Sequence, residues 1–312
     1  MATKSADSCL NPEALDQLPK QTFWENTELH KWEGFWYNAT VIKGMLGFQS
    51  KYEARSDDVI LASSMKTGST WLKAVTANIM LSGCDHDSDD DMPHARIFTL
   101  ESRLGTGNIH PDDLLAMPSP RIFHTHLPFT SLPDSIKNSD CKIVYITRNP
   151  MDTLVSSWHF FNKVMQKPVP YPFEKAFDAF CNGIHFYGPY FDHVLQYWSE
   201  SLKMPKKILF LKYEDLKRDP NGEVKKLASF LGRPFVNEDE VDKVVWKSSL
   251  ERLKNLEVNK NGKLAHLAVT NSAYFRLGVV GDWKNYFTPE MKQRLDEITR
   301  IKLQGSGLHF EA

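Results

Sequence analysis

Residues 59–63, "VILAS", form an uninterrupted apolar run, and within three residues it closes on a turn rich in lysine, glycine and hydroxyls, "SMKTGST". A strand with no polar alternation is buried on both faces, and burial on both faces calls for a parallel sheet with helices on each side. Beyond the turn, Trp71, Leu72, Val75, Ile79 and Met80 recur at helical spacing, so a helix is expected from about Thr70 to Ser82. A strand that passes through glycine into a helix presents free backbone N–H groups and a positive dipole end at the strand's carboxyl edge. That is an anion site.

The same grammar repeats along the chain. "RIFHTH" ends a second strand that "LP" breaks, and "KIVYITRNP" is a third. "MDTLVSSWHFF" follows as a helix, with Pro150 just before it and Asp152 in its first turn. "KILFLKYEDL" is a fourth strand leading to a helix near 221–232, and the tail is helical with a break at "RLGVVGDWKNYFT". Strands alternating with helices predict an α/β fold: one domain over residues 1–312, a central parallel β-sheet flanked by helices on both faces, and a loose N-terminal segment at residues 1–20. The aromatic-rich stretch "FWENTELHKWEGFWY" is expected to pack onto the main body. Each strand ends in a polar or basic side chain: Lys66, then His124 and His126, then Arg148, then Tyr213. In open parallel sheets ligands bind outside the carboxyl ends of the strands, so these residues should meet in one crevice.

Composition narrows the ligand. Net charge is −1, which gives no global field for nucleic acid or membrane, so an anion site must be a local basic cluster. No stretch approaches 18 apolar residues, and the first ten contain no apolar signal region, so a cytoplasmic protein is expected. Cys9, Cys84, Cys141 and Cys181 lie far apart and read as free thiols. The acidic run Asp85–Asp91 lacks the ligand spacing and central glycine of a calcium loop and reads as a solvated loop. His124 and His126 form an H-x-H pair without an evident third ligand, so no metal is expected. Lys66 precedes Gly68, the reverse of a P-loop, and neither "GTGNIH" nor "GSGLHF" completes a dinucleotide fingerprint.

Five segments together, in order from Asp57 to Phe287, resemble the soluble sulfotransferases that use 3′-phosphoadenosine 5′-phosphosulfate (PAPS), in particular their plant branch. "MKTGSTWLKA" is similar to the family's 5′-phosphosulfate loop, "THLP" to the segment with the catalytic histidine, and "RNPMDTLVS" to the 3′-phosphate motif. "KYEDL" and "RLGVVGDWKNYFT" resemble its remaining donor motifs. The resemblance implies an enzyme that moves a sulfuryl group from PAPS to a hydroxyl of a small acceptor, releasing adenosine 3′,5′-bisphosphate (PAP). The aromatic and methionine content suits a lipophilic or phenolic acceptor, such as a flavonoid or steroid-like metabolite.

The roles follow residue by residue. The resemblance implies that the backbone N–H groups of Thr67, Gly68, Ser69, Thr70 and Trp71, with the Ser69 and Thr70 hydroxyls, hold the 5′-phosphate, with Trp71 stacked on the adenine. Arg148, Ser156 and Arg276 would hold the 3′-phosphate, and Tyr213 would reach the adenine edge. Ser248, Leu250 and Gly278 fall in further donor motifs. His126 would be the general base, Lys66 would meet the charge on the breaking S–O bond, and Phe160 and His124 would line the acceptor pocket.

The chain departs from the pattern at several points. Met65 replaces a proline. Leu250 stands where an aromatic is usual, and Leu277 where a lysine is usual, so a non-catalytic PAP-binding relative is the alternative. Of the family's dimer motif only Lys284 and Thr288 survive, with Pro289 and Gln293 at the other positions, which predicts a monomer.

Overall fold

The computed structural model describes residues 15–80, 93–166, 168–264 and 269–311. The acidic run 85–91, Cys9, Cys84 and residues 1–14 lie outside the described residues. Strands β1 (Lys20–Phe23), β2 (Thr27–Trp32) and β3 (Phe35–Tyr37) form a small antiparallel sheet. This is the form taken by the aromatic N-terminal stretch. Phe23 and Trp24 dock on Phe161 and Tyr171, with ring centroids 5.0 and 4.6 Å apart respectively.

The main sheet contains β4 (Val59–Ser63), β5 (Ile122–Thr125), β6 (Lys142–Thr147) and β7 (Ile208–Lys212), all parallel, in the order β5-β4-β6-β7. Eight helices of nine or more residues are described: α1 (Ala39–Lys51), α2 (Ser69–Met80), α3 (Pro150–Met165), α4 (Phe173–Cys181), α5 (Tyr190–Lys203), α6 (Pro220–Phe230), α7 (Glu238–Lys247) and α8 (Pro289–Leu303). None is long and apolar enough to cross a membrane.

The apolar runs divide by the two-residue period of a strand. Ile60, Ala62, Ile143 and Tyr145 face a core built with α3 and α5. Val59, Leu61, Val144 and Ile146 face a second core, with α2, α6 and α7. Alternation that would be visible in a half-exposed strand is therefore absent here, because both sets are buried.

Local chemistry sets the helix starts. Pro150 occupies the first turn of α3 rather than preceding it, and the Asn149 side chain caps the helix by accepting from the Met151 N–H. The helix expected near 221–232 begins at Pro220, capped by Asp219 and separated from a short helix at Tyr213–Arg218. At the amino edge of the sheet, Arg121 forks onto Asp58, Nε to Oδ1 at 2.8 Å, and Tyr52 donates to the same carboxylate at 2.7 Å. Both partners of that ion pair are fully buried.

Helix α1 crosses the short helix Leu100–Gly105 at backbone contact. A Cβ on Gly44 would lie 1.9 Å from the Glu101 carbonyl oxygen, whereas one on Gly47 would meet nothing within 4 Å. Gly44→Ala should therefore overpack this crossing by about 1–3 kcal/mol and lower Tm by a few degrees. Gly47→Ala gains helix propensity of roughly 1 kcal/mol and should raise Tm. Calorimetry on the two variants checks the pair, and equal shifts would show that the crossing is not tight.

Candidate active site at the carboxyl edge of the sheet

The register brings the strand ends level. Ala62 pairs with Thr125, Ser63 with Ile146, and Thr147 with Lys212. The residues that follow them, Lys66, His126, Arg148 and Tyr213, therefore emerge on one edge. The chain turns one way from β4 and the other way from β6, so their carboxyl ends form the switch-point crevice of an open α/β sheet.

Two cavities open there. The first, about 420 Å³, is lined by Lys66, Gly68, Ser69, Thr70, Trp71, Arg148, Ser156, Tyr213, Ser248, Leu250, Arg276 and Gly278. The second, about 580 Å³, is lined by His124, His126, Lys73 and a largely apolar wall that includes Phe98, Phe161, Met165 and Phe186. Lys66, Ser69, Thr70, Phe160 and Tyr274 line both and form the junction.

The turn before α2 is strained where it meets the first cavity. Lys66 adopts a left-handed backbone (φ 65°), a conformation that costs a lysine about 1–3 kcal/mol. Gly68 has φ 112°, and a Cβ there would sit 2.9 Å from both Ile146 Cδ1 and Tyr213 Cδ2. Only glycine lets the turn lie this close to β6 and Tyr213. The Lys66 ammonium stands over the rings of Phe160 (4.1 Å) and Tyr274 (5.4 Å), and makes no ion pair among the described residues. Burial first, then Arg148 and Arg276, push it down to about 7. Desolvated positive charge without a counter-charge is the signature of a site that takes an anion.

The far end of the first cavity is fastened by α3. Asp152 accepts from the N–H groups of Gly281 (2.7 Å) and Trp283 (3.0 Å), holding the 276–283 loop against α3. Arg148 donates to the Val279 carbonyl at 2.7 Å and lies over the Tyr213 ring, and its buried Nε has no partner among the described residues. Arg276 pairs with Asp282 at 2.6 Å. An unpartnered guanidinium N–H, an unpaired ammonium and the free N–H groups of the α2 first turn fit a ligand with two separated anionic groups, as PAPS and PAP have.

Three of the assigned residues engage their hydroxyls within the protein. Thr67 is buried and does not line the cavity; its hydroxyl bridges the Ser64 and Ile146 carbonyls at 2.8 and 3.0 Å. Tyr213 donates its hydroxyl to the Gly278 carbonyl at 3.0 Å, so it braces the loop. Ser248 is buried and accepts from Asn78 at 2.9 Å. Leu250 packs against Gly278, whose missing Cβ would fall 2.4 Å from Leu250 Cδ2.

In the second cavity His126 Nδ1 lies 2.9 Å from the Ser63 carbonyl, an acceptor only, so Nδ1 carries the hydrogen and Nε2 the lone pair. Burial, followed by the charges of Lys73 and Lys66 among others, holds its pKa near 3, and the ring is neutral. His124 is fully enclosed and uses both nitrogens, on Ser63 Oγ (3.1 Å) and Thr99 Oγ1 (3.0 Å).

The sequence reading missed the groups that hold His126. Buried Glu101 accepts its N–H at 2.8 Å and the Thr125 hydroxyl at 2.9 Å. His193, itself bonded to Tyr145, donates to the His126 carbonyl at 2.9 Å. No motif marks Glu101 or His193; a carboxylate inside "FTLES" is the only signal the chain offers.

The sulfotransferase domain family matches residues 56–307. Cytosolic sulfotransferase 5 of Arabidopsis thaliana is 42% identical over 307 residues, covering 95% of each chain. The fold is similar to that of a mouse sulfotransferase solved in complex with PAP, with TM-score 0.73 and 32% identity over 89% of this chain and 95% of that one. An Arabidopsis thaliana sulphotransferase structure superposes with TM-score 0.75 and 33% identity, over 96% and 94%.

Lys66 generates a measurable expectation. At pH 8 a phosphate with second pKa near 6 is fully ionised, while an ammonium held near 7 is mostly neutral. An anion placed beside it raises its pKa, so PAP binding at pH 8 should draw in protons, and Lys66→Met should abolish the uptake. Calorimetry in buffers of different ionisation enthalpy reads this directly. Proton release, or uptake unchanged in Lys66→Met, would contradict the assignment.

Proposed function

The chain belongs to the sulfotransferase family, and from that premise we propose that it transfers the sulfuryl group of PAPS to a hydroxyl of a small lipophilic or phenolic acceptor, with His126 as general base. One observation carries the reading: an ammonium without a counter-charge, Lys66, stands at the junction of the basic and the largely apolar cavity, and a neutral histidine with a free lone pair lines the apolar one. PAPS supplies the activated sulfuryl group and both anions.

His126 Nε2 takes the proton of the acceptor hydroxyl as the new O–S bond forms. Lys66 offsets the negative charge that collects on the 5′-phosphate oxygen as the old S–O bond breaks. Arg148, Ser156 and Arg276 hold the 3′-phosphate, and the first-turn N–H groups of α2 hold the 5′-phosphate. Leu250 and Trp71 form the apolar walls for the adenine. His124, with both nitrogens engaged, shapes the acceptor cavity without moving a proton.

The absence of any required metal follows from this division of labour, since a lysine and a helix terminus supply the positive charge. A cytoplasmic monomer completes the proposal. Thr288 caps α8 by accepting from Met291, with Pro289 in the first turn, so these dimer-motif positions serve the helix start.

His126→Ala is expected to bind PAP as the wild type does and to transfer sulfate more slowly by on the order of 10²–10⁴, while His124→Ala loses several-fold at most. PAP should bind far more tightly than 5′-AMP in calorimetry. Retained activity in His126→Ala, or equal affinity for the two nucleotides, would refute the reading.

A further inference from the structure

The second cavity repeats the electrostatic problem of the first. Lys73 lies on α2 one turn beyond Thr70, half-buried in the cavity wall, and makes no ion pair or hydrogen bond among the described residues. Burial and the neighbouring Arg103 depress its pKa to about 8. The carboxylate nearest in effect, Glu101, already spends its oxygens on Thr125 and on the His126 N–H. Arg103, on the helix Leu100–Gly105, faces the same cavity, 5.7 Å from the Phe98 ring, and also lacks an ion pair among the described residues. His94, from the turn Pro93–Ala95, adds a buried Nδ1 with no hydrogen-bond partner among the described residues; burial and the Lys73 charge hold its pKa down to about 3, so the ring is neutral. Two cations from two elements, Lys73 and Arg103, thus converge on a cavity whose wall is largely apolar, and neither forms an ion pair among the described residues. A cation removed from water is costly unless an anion answers it. At Lys66 the donor would supply that anion; at Lys73 no described residue pairs with it.

We propose that the acceptor cavity contains an anion subsite formed by Lys73 and Arg103, with His94 beside them, so that the acceptor is a lipophilic hydroxy acid whose carboxylate binds there. This rests on the sulfotransferase reading above and specifies its substrate class. The competing occupant is the donor's own sulfuryl group, and the two make different demands. A sulfuryl contact would serve every acceptor alike. A carboxylate contact serves acidic acceptors alone.

The test uses the full chain saturated with PAP and two probes of one shape, 2-naphthoate and 2-naphthol, titrated by calorimetry. The ratio of their affinities should favour naphthoate and fall roughly tenfold in Lys73→Met, with Arg103→Met in the same direction and Lys73→Arg largely restoring it. PAP affinity, measured on each variant, reports whether the donor site is still folded. In turnover, the ratio of kcat/KM for 6-hydroxy-2-naphthoate over its methyl ester should fall by a similar factor, through KM. If Lys73→Met lowers kcat equally on acid and ester, Lys73 serves the sulfuryl group and the proposal is overturned. An affinity ratio that does not change overturns it as well. If no acceptor is turned over while naphthoate binding still depends on Lys73, the sulfotransfer reading fails and the subsite stands.

Discussion

The position of β4 between β5 and β6 is the constraint on which the rest depends. Its side chains alternate into two separate cores, Ile60 and Ala62 to one and Val59 and Leu61 to the other. A slip of one residue would exchange the two sets and displace every contact on both faces. With β4 unable to slide, the ends of three strands are level, and Lys66, His126 and Arg148 start from fixed heights. The buried Arg121–Asp58 pair locks the opposite end, tying the start of β5 to the start of β4. Breaking such a pair exposes a buried charge to a site with no partner, which is far more costly than its net contribution would suggest. The chemistry at one edge is thus held in register from the other.

Onto that rigid edge the fold places positive charge and withholds its complement. Asp152 is the carboxylate best placed to neutralise Arg148, at 3.4 Å, yet it is committed to two backbone N–H groups of the 276–283 loop. Glu214, at the start of the short helix after β7, accepts the Asn149 N–H at 2.8 Å. Both carboxylates beside Arg148 are thus employed as braces, whereas Asp282 pairs with Arg276. Lys66 and Arg148 keep unspent hydrogen-bonding capacity, which a phosphorylated ligand can fill without first displacing a protein anion. The left-handed turn at Lys66 belongs to the same design: backbone strain there is held by the packing of Gly68 between Ile146 and Tyr213.

What the sequence disclosed and what it concealed divide along physical lines. Lys66, Arg148 and Tyr213 are legible because a strand ends in a loop at a place that periodicity marks, and the parallel topology then brings those places together. The N-terminal sheet is harder to read, since Phe35, Trp36 and Tyr37 are all buried and leave no alternation. A hydroxyl in a motif has a position in the chain but no direction: the Tyr213 hydroxyl, expected at the adenine edge, points to the Gly278 carbonyl. Glu101, His193 and Lys73 are the deepest omissions. The first two act through contacts across 25 and 67 residues, and the subsite proposed at Lys73 rests on a counter-charge missing among the described residues; none of these leaves a local pattern.

Glu101 also links packing to chemistry. Its carbonyl is the atom on which α1 closes through Gly44, and its carboxylate holds the N–H of His126. The same residue therefore receives the helix crossing on its backbone and passes the resulting position through its side chain to the histidine ring. Because Glu101 is completely buried and both its oxygens are engaged, it has no room to adjust independently of the helix that carries it. The His126 carbonyl is fixed from the other side by His193, which Tyr145 fixes in turn from the sheet. The general-base role proposed for His126 would require its backbone to be held to a fraction of an ångström. In this fold that placement comes from the contact between α1 and the Leu100–Gly105 helix on one side and from the sheet on the other.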